Sequence, residues 1–125
     1  MRKPRPLDVI WCRFPLREAP DEPGPKPRPV LVLNVLSDGR VVVAAYGTTQ
    51  AHSMPREWEI RHEAQRGTWT TFDLLRVLDL PADGDYFPSR LPALRPFPAH
   101  RFAELAAADR AARVELSARR RRGKA

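Results

Sequence analysis

Apolar residues occur in short runs separated by polar and proline-rich stretches, a pattern typical of a chain built mainly from β-strands. Residues 8–14 mix aromatic and β-branched side chains and predict a first strand, and residues 15–27 predict a long loop. Two further apolar runs, 30–36 and 40–45, flank the sequence Ser-Asp-Gly at 37–39. This arrangement predicts a hairpin, because Asp and Gly both tolerate positive φ. Since both runs are apolar on both faces, they are predicted to be central strands, covered on one side by the core and on the other by a helix, a second sheet or a partner subunit.

The second half of the chain has weaker strand signals. Residues 57–61 alternate and predict an exposed or edge strand, whereas residues 62–69 are polar. Residues 70–80 are compatible with a helix or a strand, since Thr70 and Asp73 have the spacing of a capping box. The β-branched residues of this segment favour a strand.

A helix is predicted from Pro98 onward, where the composition changes to Ala, Arg, Glu and Leu. Its partial apolar stripe consists of Phe102, Leu105, Ala106, Ala112 and Leu116. The predicted fold class is therefore mainly β, a small β-barrel or a rolled sheet with an appended α-helix. We expect a single domain over residues 1–118, followed by a basic disordered tail over 119–125.

Charge and composition narrow the classes of partner. The chain has 22 Lys and Arg against 15 Asp and Glu, a net charge of +7. This excess favours a polyanionic partner: nucleic acid, an acidic protein segment or an anionic membrane.

The single cysteine, Cys12, excludes an internal disulfide and is expected to be a buried thiol. No run is long and apolar enough for a membrane span and no signal peptide is recognisable, so a soluble cytoplasmic protein is expected.

Candidate chemistry lies at the ends of two predicted strands. Arg28 stands between two prolines at the start of one strand, and Thr48 and Thr49 follow Tyr46-Gly47 at the end of the next. A guanidinium and a hydroxyl pair delivered to neighbouring strand ends can bind a phosphate. The alternatives are a solvated charge at a strand end and hydroxyls that cap the backbone of a turn. His52 is interpreted as a loop residue, and no His or Cys spacing indicates a metal site.

Four segments carry a resemblance to a known family. They are LDVIWCRF at 7–14, PGPKPRPVLVL at 23–33, VVAAYGTTQ at 42–50 and FDLLRVL at 72–78. In order and spacing they resemble the PemK/MazF toxins of type II toxin–antitoxin modules, which are mRNA endoribonucleases. Leu74 stands where that family usually has glutamine. The resemblance implies an SH3-like barrel of the type shared with the gyrase poison CcdB.

The same resemblance implies roles for individual residues. Arg28 and Thr48 are the expected catalytic pair of a metal-independent, sequence-specific endoribonuclease without a cofactor, and Thr49 is a possible catalytic support. Candidate RNA-binding residues are Arg13, Arg17, Lys26, Gln50 and Arg76. The implied partners are single-stranded RNA, a cognate acidic antitoxin and a second copy of the chain in a homodimer.

Two other functions stay open at this point. One is a non-catalytic interaction module like CcdB, because a fold does not fix a function. The other is an inactive relative that binds RNA without cutting it, for which the replacement at Leu74 leaves room.

Overall fold

The computed structural model describes residues 3–50 and 54–123. Its elements are β1 (Val9–Cys12), β2 (Arg28–Leu36), β3 (Val41–Thr48), β4 (Glu59–Gln65), β5 (Thr68–Pro81) and α1 (Phe102–Gly123). The strands form one antiparallel sheet in the spatial order β1-β2-β3-β5-β4, curled into a half-barrel. The prediction of a mainly β chain with an appended C-terminal helix is confirmed.

The predicted hairpin joins β2 and β3. Leu36 pairs with Val41 across the turn, and residues 37–39 form a short 3₁₀ turn. Asp38 and Gly39 have φ values of 55° and 88°, which are the positive values expected of these two residue types in the turn. The hairpin fixes the register of the two strands, and therefore fixes which residues meet at their far ends.

Strands β2 and β3 are central and are covered on both faces, as predicted. On the side we call the helix face, α1 and Phe97 cover an apolar layer that includes Leu31, Ala45, Phe72 and Leu74. On the opposite side, the loop face, Phe14 and Phe87 cover a second layer that includes Cys12, Val30, Val32, Val42 and Ala44. Both apolar faces are thus buried by segments of the same chain.

A second hairpin occupies residues 62–69, of which the sequence indicated only the polar composition. β4 continues to Gln65 and β5 begins at Thr68. Burial alternates along β4, with His62 and Ala64 directed inward. The edge position explains the polar composition, since one face of an edge strand meets solvent.

Helix α1 is longer than predicted. Residues 119–123 are helical rather than a disordered tail, while 124–125 lie outside the described residues. Two ion pairs to Glu115 support this end of the helix: Arg119–Glu115 at 2.8 Å and Arg122–Glu115 at 3.3 Å. These local contacts give the basic residues a helical conformation that composition alone did not indicate.

The packed side of α1 differs in part from the predicted stripe. Leu105, Ala108 and Ala112 are buried against the sheet. Phe102, which was placed in the stripe, is 59% exposed. The small alanines allow the helix backbone to approach the sheet closely.

A proline-rich segment, residues 86–97, runs along the outer edge of β1, and we call it the strap. The indole Nε1 of Trp11 donates a hydrogen bond of 2.7 Å to the carbonyl of Pro92. The backbone N–H of Phe97 donates to the carbonyl of Leu7 at 2.8 Å. The strap therefore takes part of the place that a neighbouring strand would have beside β1.

The strap also contacts β4, at the opposite edge of the sheet. The backbone N–H of Arg95 donates to the carbonyl of Ala64 at 2.8 Å, and the Nε2 of His62 bonds to the Arg95 carbonyl at 2.9 Å. The His62 ring meets Phe97 edge to face, with 5.6 Å between ring centres. The strap thus bridges the two edge strands.

In the described part of the chain, no helix has the length and apolar character needed to cross a membrane.

Candidate functional site

Arg28 and Thr48 lie on the same face of the sheet at the ends of adjacent strands. Val30 pairs directly with Tyr46, and extending that register by two residues places Arg28 opposite Thr48. Residues directly opposite in an antiparallel pair project to the same side. The loop face therefore carries both residues that the sequence predicts as catalytic.

The two backbones approach closely at this point. A Cβ atom built on Gly47 would lie 2.2 Å from the carbonyl oxygen of Pro29 and 2.9 Å from the Phe72 ring. Only glycine fits between these neighbours. Gly47 is thus required for the approach of β2 and β3 that brings the two strand ends together.

The Thr48 hydroxyl oxygen accepts a hydrogen bond of 3.1 Å from the backbone N–H of Gln50. This is the capping role that the sequence left open for the threonine. The same hydroxyl keeps its own proton for donation and a second lone pair. Thr49 is exposed beyond the end of β3, and Gln50 is exposed next to it.

Two arginines lie close to the ring of Tyr46. The guanidinium carbon of Arg28 is 5.7 Å from the centre of the Tyr46 ring, and that of Arg76 is 4.1 Å from it. Arg76 also lies 5.1 Å from the Phe14 ring and donates a hydrogen bond of 3.2 Å to the carbonyl of Pro15. Arg76 therefore has a packing role that holds the start of the long loop against the sheet.

Burial, followed by the positive charge of Arg17, lowers the pKa of Arg76 from its ordinary value. The Tyr46 side chain and the Asp73 carboxylate act in the opposite direction. Two guanidinium groups close enough to influence each other create an excess of positive charge beside the Arg28 end of the sheet. Such a site favours an anionic ligand.

The remaining predicted RNA-binding residues are exposed but spread over a wider area. Arg13 follows β1, and its backbone bonds to Tyr86 and Gly24 at 2.7 and 2.9 Å. Lys26 lies two residues before Arg28 and is exposed, as is Arg17 in the long loop. His52 lies outside the described residues.

Two residues near Arg28 and Thr48 were not predicted from the sequence. Thr71 on β5 is directly opposite Thr48, and Asp73 is directly opposite Tyr46. Thr71 is 8% exposed, and Asp73 accepts a hydrogen bond of 2.9 Å from the backbone N–H of Leu75. The long-range pairing of β3 with β5 brings them to the site. Their alternation along β5 was the available signal, but no local motif identifies the pairing partner.

Cys12 is directly opposite Arg28 but is buried. Burial raises the pKa of its thiol to about 12, so the thiol is neutral at physiological pH. The prediction of a buried cysteine is confirmed. Among residues 3–50 and 54–123, no group of three or more His, Cys, Asp or Glu side chains is arranged to hold a metal ion.

Comparison with known proteins gives no family assignment. A scan against models of protein families finds no match for this chain, and a search of curated proteins finds no relative. What the chain does must be inferred from the chemistry of Arg28, Thr48 and their neighbours.

Proposed function

We propose that this protein is a metal-independent endoribonuclease of the PemK/MazF type, acting on single-stranded mRNA as the toxin of a type II toxin–antitoxin module. The observation that carries the proposal is the placement of Arg28 and Thr48 on one face, at the ends of adjacent strands. The half-barrel with its appended helix is compatible with the SH3-like barrel of that family.

The reaction proposed uses the 2′-hydroxyl of the RNA as the nucleophile. The 2′-oxygen forms a bond to phosphorus, and the bond between phosphorus and the 5′-oxygen breaks. The proton lost from the 2′-hydroxyl is balanced by the proton gained by the 5′-oxygen, and the products are a 2′,3′-cyclic phosphate and a 5′-hydroxyl end. Arg28 neutralises the charge that develops on the phosphoryl oxygens, and Thr48 donates a hydrogen bond to one of them.

The proposed partners rest on different arguments. RNA is supported by the positive charges of Arg28, Arg76 and Arg17 around one face, which favour a polyanion. An acidic antitoxin segment that covers this face follows from the same charge. The homodimer is implied by the resemblance alone, because both apolar faces of the central strands are already covered within the chain.

The test is a cleavage assay in EDTA with RNA of mixed sequence. Wild-type protein is expected to cut at discrete sites, and Arg28→Ala and Thr48→Ala are expected to lose the cuts while their unfolding curves stay like wild type. Arg113→Ala is the matched control, since its side chain is 79% exposed on α1. Cuts of equal strength in Arg28→Ala would overturn the proposal.

A second function, RNA binding without cleavage, is favoured by two contacts. The Thr48 hydroxyl already accepts the Gln50 N–H, and Arg76 is engaged with Tyr46 and Pro15. RNA bound with a steep salt dependence but recovered intact would identify this function.

A further inference from the structure

A second group of polar and aromatic residues lies on the loop face, on the two strands beyond Thr48. Thr71 is opposite Thr48, and Arg61 of β4 is opposite Thr71. Arg28, Thr48, Thr71 and Arg61 therefore form one row across four strands. Since neighbouring strands are about 4.8 Å apart, the Arg61 backbone lies about 10 Å from that of Thr48.

Arg61 has an unsatisfied donor. Its Nε is shielded from solvent and has no hydrogen-bond partner among the described residues. Buried donors are nearly always paired in folded proteins, so an unpaired one requires an explanation. The terminal N–H groups of the same guanidinium are not shielded in this way, and a pair of them can bind two oxygens of a phosphate side by side.

Trp69 is next to this arginine and is accessible. It is 48% exposed, and the guanidinium carbon of Arg61 lies 5.6 Å from the centre of one of its rings. Alternation along β5 puts Trp69 on the same face as Thr71. An exposed indole beside a cation is a platform on which an unpaired base can stack.

The carboxylates nearby restrict where a phosphate can bind. Glu63, two residues along β4, accepts hydrogen bonds from Arg95 at 3.2 Å and from the Gly67 N–H at 3.3 Å. The adjacent row contains Asp73 and Glu59, which are directly opposite each other. The row that ends at Arg61 contains no carboxylate, so it is the more favourable path for the RNA backbone.

We propose that Arg61, Thr71 and Trp69 form a nucleotide subsite of the ribonuclease proposed above, on which this inference rests. Trp69 stacks on the base of one nucleotide near the cleaved bond. Arg61 binds the phosphate of that nucleotide with its terminal N–H groups, and the Thr71 hydroxyl adds a hydrogen bond. The subsite positions the RNA across the sheet so that the next phosphate reaches Arg28 and Thr48.

Binding is measured with a single-stranded RNA of mixed sequence bearing 2′-O-methyl groups, which cannot be cut by 2′-hydroxyl attack. Trp69→Leu is expected to weaken binding about tenfold and to abolish the quenching of tryptophan fluorescence by RNA. Trp58→Phe is the matched control and should keep the quenching. Trp69→Phe retains a ring and should bind within about threefold of wild type.

The charge is tested by the salt dependence of the same binding. Arg61→Met is expected to lower the slope of log affinity against log salt by about 0.7, the value for one phosphate contact on a single strand. Arg61→Lys should keep the slope, and Arg113→Met should keep both slope and affinity. Unfolding curves identify any variant that has lost its fold, in which case the lysine and phenylalanine variants decide.

The outcomes separate the two proposals. If the wild-type protein cleaves RNA, and Trp69→Leu and Arg61→Met bind RNA as tightly as wild type does, the subsite is overturned and the ribonuclease proposal stands. Binding that depends on both residues, without cleavage of natural RNA, supports the subsite and overturns the ribonuclease. No detectable binding of RNA overturns both.

Discussion

The guanidinium of Arg76 stacks over the ring of Tyr46, with 4.1 Å between the guanidinium carbon and the ring centre. Arg76 belongs to a bulge in β5, because Ala45 pairs with Val77 whereas the next residue, Tyr46, pairs with Asp73. The bulge directs this side chain toward the long loop, where it bonds to Pro15. A residue predicted to bind RNA thus also joins three segments of the fold.

Arg76→Leu is expected to lower the free energy of unfolding by about 1–3 kcal/mol, through loss of the ring stacking and of the hydrogen bond to Pro15. Urea unfolding measures this change. Arg113→Leu, at a highly exposed helix position, should stay within about 0.5 kcal/mol of wild type. Equal stability of the two variants would show that the stacking contributes nothing.

Gly47→Ala is expected to lower the free energy of unfolding by about 1–3 kcal/mol, since the added methyl group meets the Pro29 carbonyl. Cleavage should fall with it, because the strands that carry Arg28 and Thr48 are forced apart. Gly84→Ala is the control: nothing lies within 4 Å of its added Cβ. A folded Gly47→Ala protein with wild-type stability contradicts the close approach.

Phe97→Ala is expected to cost about 3–5 kcal/mol of unfolding free energy, because the ring is 2% exposed and fills the space between the strap, β4 and α1. Phe102→Ala, five residues later and 59% exposed, should cost less than about 1 kcal/mol. Thermal or urea unfolding of the pair measures the difference. Similar losses in both variants would mean that the strap is not held through Phe97.

Because the pKa of the Cys12 thiol is raised, the stability of the protein is expected to fall at alkaline pH. Folding raises the pKa of its thiol from 9.0 to about 12, so the thiol ionises first in the unfolded chain. Stability is fully present below pH 9 and falls as the pH rises toward 12. Between pH 8 and pH 10, wild type should lose about 1.4 kcal/mol more than Cys12→Ala. Parallel losses in the two proteins would contradict the raised pKa.

Local signals in the sequence were sufficient for the first hairpin. Asp38 and Gly39 determine the turn through their own backbone preferences, and the apolar runs beside them determine the pairing. The register of β2 and β3 in this hairpin then places Arg28 opposite Thr48. This part of the candidate site was predictable because each step depends on residues close together in sequence.

Other features depend on contacts between distant residues. The pairing of Thr71 with Thr48 joins residues 23 positions apart, and the bulge at Arg76 changes which side chains share a face. The strap offered only a series of prolines, and the residues that bond to it, Trp11 and Ala64, lie elsewhere in the chain. The second hairpin had a usable signal, the alternation of Ile60, His62 and Ala64 before Gly67.

The strap bridge has a consequence for how the molecule behaves at high concentration. An uncovered edge strand offers unpaired N–H and C=O groups to any other chain, which is a common route to aggregation. Here backbone groups at Leu7, Arg13 and Ala64, beside or within the two edge strands, are already bonded to the strap. Prolines suit that task, since they have no N–H to offer a further strand. The strap therefore protects both margins of the sheet against self-association by strand addition.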